Sequence, residues 1–118
     1  MIAIKRVYDL PAKKDGKRFL VERLWPRGMR KTELLMDGWI KEAAPSSGLR
    51  QWFHHEPEKW EEFQVRYMKE LEANPHNWMP ILEAARQGNV TLLYSARDTQ
   101  HNNAQVLKQF MESLVISH

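Results

Sequence analysis

The chain of 118 residues contains no cysteine, so it can form no disulfide, offers no thiolate nucleophile and has no thiolate ligand for a metal. It also lacks any run of the ~18 apolar residues that a membrane-crossing helix requires. Met1 to Tyr8 include no apolar stretch of signal-sequence length. These absences lead to the expectation of a cytoplasmic protein with no membrane partner. No glycine-rich phosphate loop, serine-nucleophile motif, internal repeat or low-complexity segment occurs.

What is present is globular in composition, 42% hydrophobic and 28% charged with five tryptophans, and a chain of this length suits one domain that buries roughly two-thirds of its unfolded surface. The charge is uneven. Residues 1–31 carry ten Lys and Arg against three acids, a net of +7, which leaves −4 for the remainder of a chain whose total is +3. Such a basic third suits a phosphate-bearing small molecule or a nucleic acid, although Lys13, Lys14, Lys17 and Arg18 equally fit a solvated loop.

The spacing of apolar residues predicts strands over 2–8 and 19–25, the second stopped by Pro26 and Gly28. Helices follow over 33–43, from a Ser46 or Ser47 cap through Phe53, from Pro57 onward with Trp60, Phe63, Tyr67 and Leu71 on one face, and from Asn74-Pro75 to Gly88. Glu62 with Arg66, and Arg66 with Glu70, are spaced to pair. Trp39, Trp52, Trp60 and Trp78 fall on helical apolar stripes. Residues 90–96 form a near-continuous apolar run, the mark of a central strand covered on both faces, and Asp98 is placed to cap a last helix bearing Asn103, Leu107, Phe110 and Leu114. The expected fold is a small single-domain α/β sandwich with a short, mostly parallel sheet flanked by helices.

In a parallel sheet ligands collect beyond the carboxyl ends of strands. Two polar clusters stand there, Glu22-Arg23-Leu24-Trp25-Pro26-Arg27-Gly28 and Arg97-Asp98-Thr99-Gln100-His101-Asn102-Asn103. Arg23, Arg27 and Arg97 near a helix start would attract phosphate or carboxylate, unless Arg23 and Arg97 are bound in ion pairs with Glu22, Asp98 or Asp37. Asn102 and Asn103 would orient a ligand, or Asn103 would serve as a structural amide clamp. Trp25 would cover a bound ring or hold an arginine by cation–π contact. His101, with Glu22 or Asp98, is the candidate for proton transfer if there is catalysis, against a histidine with no chemical role. Ser95 with His101 downstream is a weak nucleophile pair. His54-His55-Glu56 lacks the spacing of a metal site, and no metal or cofactor is assigned.

The two clusters, with Ala44-Pro45-Ser46 and His54-His55-Glu56-Pro57-Glu58-Lys59-Trp60 between them, resemble the DUF488 family and its short YeaO-like branch along almost the whole chain. Val21-Glu22-Arg23-Leu24-Trp25-Pro26-Arg27-Gly28 corresponds to that branch's V-D-R-L-W-P-R-G motif, with Glu22 where aspartate is usual. Residues 91–98 and His101-Asn102-Asn103-Ala104 match its TLLYAAKD and HNNA segments, with Arg97 in the lysine position. The resemblance implies a compact α/β fold and supplies no reaction. Members of the wider family carry cysteines in the segments where this chain has Tyr94, Ser95 and Asn102, so a thiol mechanism could not operate here.

Overall fold

A strand buried along its whole length must lie inside a sheet, and Val90–Tyr94 is such a strand. The computed structural model describes residues 1–116. Among them are strands β1 (Ile2–Arg6), β2 (Lys17–Leu20), β3 (Gly38–Trp39) and β4 (Val90–Tyr94), all paired in parallel in the order β1-β4-β2-β3. The helices are α1 (Ser47–Phe53), α2 (Trp60–Ala73), α3 (Met79–Gln87) and α4 (Asn103–Ile116). None of them is long and apolar enough to cross a membrane.

Side chains alternate along each strand and so divide the apolar residues between two faces. Ile2, Phe19, Val90, Leu92 and Tyr94 enter a core shared with Leu49 and Phe53 of α1, Phe63, Tyr67 and Leu71 of α2, Ile81 and Leu82 of α3, and Leu107 and Phe110 of α4. Each such burial removes apolar surface worth about 1.5–3 kcal/mol. Val7, Leu20 and Leu93 point the other way and pack with Leu34, Trp25, Met29, Met36 and Trp39. All four helices thus join one core, and the opposite face is covered by the irregular segment that follows β2.

That segment departs from the helix expected over 33–43. The edge of β2 presents unpaired backbone groups, and the chain satisfies them instead of its own helical ladder. The Asp37 amide donates to Arg18 O at 2.6 Å, the Asp37 carboxylate accepts from Arg18 N at 2.8 Å, and Ile40 N donates to Leu20 O at 2.9 Å. Gly38, a poor helix former, pairs with Phe19 in β3. Trp39 therefore stands on a strand and not on a helical stripe.

β2 also begins two residues before the expected strand and ends at Leu20, with one further bond from Val21 N to Leu93 O. The helix capped by Ser46 occurs as expected, Ser46 Oγ accepting from Leu49 N at 3.2 Å, whereas Pro57 opens a 3-10 turn over Pro57–Lys59 and α2 itself begins at Trp60. Arg66 pairs with Glu62, whereas Glu70 turns to Ser46, accepting from its amide at 2.9 Å and its hydroxyl at 2.6 Å.

β1 and β2 are parallel and flank β4, so residues 7–16 must return the chain along the sheet, a crossover usually given to a helix. Here a buried carboxylate anchors it. Asp15 binds Lys5 at 3.0 Å and the buried Arg18, and accepts from the Ala12 amide at 2.9 Å. Burial pushes its carboxyl up, but the Ala12 amide, Lys5 and Arg18 outweigh that and hold it below the usual aspartate range. The next residue, Gly16, has φ +64°, and a Cβ there would stand 2.0 Å from Asn89 O, so no other residue fits this turn into β2.

Candidate functional site

Parallel strands end on the same side. The chain leaves β1, β2 and β4 there, and the segments beginning at Val7, Val21 and Ser95 border one cleft of about 920 Å³. Both polar clusters reach it, as their positions predict. Arg23, Trp25, Arg27, Arg97, Asn102 and Asn103 all line the cleft, together with Glu22 and Asp98. Its remaining wall comes from Arg6 and Tyr8 at the end of β1 and from the helical side, through Pro45, Arg50, Phe53 and His55.

Five arginines therefore surround one space. Among the described residues none of Arg6, Arg23, Arg27, Arg50 and Arg97 has a carboxylate within ion-pair distance. Arg23 was a candidate for pairing with Glu22, Asp98 or Asp37; instead its guanidinium donates to Ala44 O at 3.1 Å and Pro45 O at 3.3 Å. Arg6 is held similarly, by Ala96 O at 3.0 Å and Ser95 O at 3.3 Å, and lies 4.8 Å from the centre of the Tyr8 ring. Carbonyl partners fix these side chains without neutralising them. Arg27, Arg50 and Arg97 are exposed.

The two acids in the cleft are engaged locally. Glu22 Oε1 accepts from Ser95 N at 2.7 Å and Ser95 Oγ at 2.9 Å. Burial raises the Glu22 carboxyl above the usual glutamate range, against the opposing pull of those two bonds and of Arg50 and His55. Asp98 does the reverse. It accepts from His101 N and Gln100 N, both at 2.9 Å, and lies 2.9 Å from His101 Nδ1, contacts that hold its carboxyl at about 2.

Those bonds show that Asp98 caps the 98–101 loop and not the last helix, which starts at Asn103. The cap of α4 is Asn102, buried at 3% exposure, whose Oδ1 accepts from Gln105 N at 3.0 Å while Nδ2 donates to Asp98 O at 2.9 Å. Asn103 Nδ2 donates to Val21 O at 2.7 Å. Asn103 thus binds the last helix to the end of β2, and Asn102 binds it to the 98–101 loop. The amino end of α4 carries its own cap, so the guanidinium groups, and not a bare helix terminus, supply the cleft's positive field.

His101 lies outside the cleft lining. Its ring is held between Asp98 and the edge of Trp60, whose centre is 5.1 Å away. Among the described residues Trp25 holds no arginine: its ring has Lys31 Nζ at 5.9 Å and meets Trp39 edge-on at 5.3 Å, Nε1 donates to Met29 O, and the residue also lines the cleft. Ser95 is spent on Glu22 and does not face His101. Among the described residues no three His, Asp or Glu side chains cluster as metal ligands; Glu56 is paired with Lys59.

Sequence reading missed Arg6, Tyr8, Arg50 and His55. Arg6 carried a usable signal, because any strand parallel to the central one must end on the same side. Arg50 and His55 carried none, since their place depends on how α1 packs. The basic first third is itself divided. Lys13, Lys14 and Lys17 stand at the amino end of β2, opposite the cleft.

Comparison with known proteins matches residues 1–117 to the family model described as the inactive DUF488-N3 subclade. The chain is 43% identical over 113 residues to the Escherichia coli protein named Uncharacterized protein YeaO, covering 96% of this chain and 98% of that one. It is 36% identical over 113 residues to Mb3100c of Mycobacterium bovis and to Rv3073c of Mycobacterium tuberculosis, covering 93% of this chain and 92% of each. No solved structure matches. A match of this extent, on motifs that converge at one cleft, establishes that the chain belongs to the DUF488 family and is a YeaO-like member of it.

Proposed function

We propose that the cleft binds an anionic, phosphate-containing ligand and that the protein holds this ligand without transforming it. The observation that carries this reading is the set of five cleft arginines that lack a carboxylate partner among the described residues. Like charges lining one space repel one another, and guanidinium groups that are not tied up in ion pairs are suited to an external anion. Guanidinium forks suit phosphate in particular, because each donates two parallel hydrogen bonds. The volume falls within the range of small-molecule sites.

Binding without turnover agrees with the family description, inactive, and with the residues themselves. The cleft has no thiol, its serine hydroxyl is committed to Glu22, and the histidine considered for proton transfer stands outside it. A cytoplasmic location fits such a ligand and belongs to the same proposal.

Arg27 and Arg97 are the residues to remove, since their side chains are exposed. Calorimetric titration with pyrophosphate should show binding to the wild type that falls at least about ten-fold in the R27A/R97A double variant, with the melting temperature unchanged. Equal pyrophosphate affinity in both proteins overturns the reading. Nucleic-acid binding through the basic third is distinguished by K13A/K14A/K17A, which alters only a polyanion's salt-dependent affinity.

A further inference from the structure

We infer that the cleft's ligand is a nucleoside phosphate whose base donates one N–H to Glu22 Oε2. This deepens the anion reading and rests on it.

The argument is a census of what the cleft offers. Five guanidinium groups supply donors and no acceptors. Carboxylate acceptors are few and mostly used. Asp98 gives Oδ1 to two loop amides and Oδ2 to the His101 ring. Glu22 gives both lone-pair directions of Oε1 to Ser95. Among the described residues nothing donates to Glu22 Oε2, and that oxygen is not sealed from solvent. Among the described residues it is the carboxylate oxygen of the cleft lining with no hydrogen-bond partner.

Its position is rigid. The Glu22 carbonyl accepts from Trp39 Nε1 at 2.7 Å, while Oε1 is clamped to the end of β4, so Oε2 has little freedom. A fixed acceptor discriminates well, because a ligand that fails to fill it leaves a half-buried carboxylate unsolvated.

The complementary ligand combines an anion, a flat ring and an N–H donor. A sugar phosphate supplies oxygens for the arginines but has no flat ring for the wall of Trp25, Pro26, Pro45 and Phe53. Inorganic phosphate fills only a small part of about 920 Å³. A nucleoside phosphate matches on each count: phosphate oxygens for the arginines, a flat ring for the wall of Trp25, Pro26, Pro45 and Phe53, and a base N–H for Glu22.

The test compares AMP, GMP, CMP and UMP with ribose 5-phosphate, all by calorimetry on the full chain. At least one nucleotide should bind the wild type about ten-fold or more tightly than ribose 5-phosphate. That ratio should collapse toward one in Glu22→Gln, which presents a donor where the acceptor stood. Should that variant fold poorly, replacing every N–H of the preferred base's donor nitrogen by N-methyl removes the same donor on the ligand and should cost the unaltered protein a similar factor. Ribose 5-phosphate binding as tightly as every nucleotide overturns the inference and leaves the anion reading intact, as does a Glu22→Gln ratio equal to wild type. Failure of all these ligands and of pyrophosphate overturns both.

Discussion

Glu22 and Ser95, separated by 73 positions, share two hydrogen bonds: one carboxylate oxygen accepts the Ser95 amide at 2.7 Å and its hydroxyl at 2.9 Å. The pair joins the segment leaving β2 to the segment leaving β4, and both residues line the cleft. It also fixes an acid among arginines, which makes its protonation state measurable as stability.

Burial raises the folded Glu22 carboxyl above its ordinary value, near 4.3 in an unfolded chain. The folded state therefore holds the proton more tightly than the unfolded one. This contribution to stability is fully present below the ordinary glutamate range and is lost as pH rises through the raised folded value. Urea melts of wild type and E22Q across a pH series should show wild type losing stability relative to E22Q as pH rises through that window. A difference that does not change with pH would contradict the assignment.

Asp15 has the opposite character. Its carboxylate is what neutralises Arg18, which is buried at 6% exposure, so D15A leaves a buried guanidinium with the Leu35 carbonyl but no carboxylate partner. Breaking such a pair from one side costs about 3–5 kcal/mol. D15A should lower the urea midpoint accordingly, and the wild type should lose the Asp15 contribution as pH falls below the ordinary aspartate range, because the folded carboxyl lies below it.

Asn103 ties the first turn of α4 to Val21 O at 2.7 Å. N103A removes that donor and leaves a buried strand-end carbonyl short of a partner, a loss of about 1–3 kcal/mol. Denaturant melts should show it, and amide exchange should quicken first in the opening turn of α4. An Asn103→Ala variant of wild-type stability would place the amide's role in the ligand instead of the fold.

Much of this architecture is local and therefore legible from the residues in order. The five-residue apolar run at Val90–Tyr94 marks the central strand, Ser46 and Pro57 mark helix starts, and the period of Phe63, Tyr67 and Leu71 marks the buried face of α2. Parallel pairing then carries both polar clusters to one side of the sheet. The helix expected over 33–43 misled because its pattern competes with an open sheet edge that no local window contains.

What the sequence by itself determined is most of the elements, their polarity and the side of the sheet where charge gathers, because periodicity, caps and turn residues act over a few positions. Tertiary structure alone decided which groups are spent and which are free. Arg23 turning to Ala44 and Pro45, Asn103 to Val21 and Glu22 to Ser95 are choices among partners distant in the chain, made only when packing brings those partners within about 3 Å of each other.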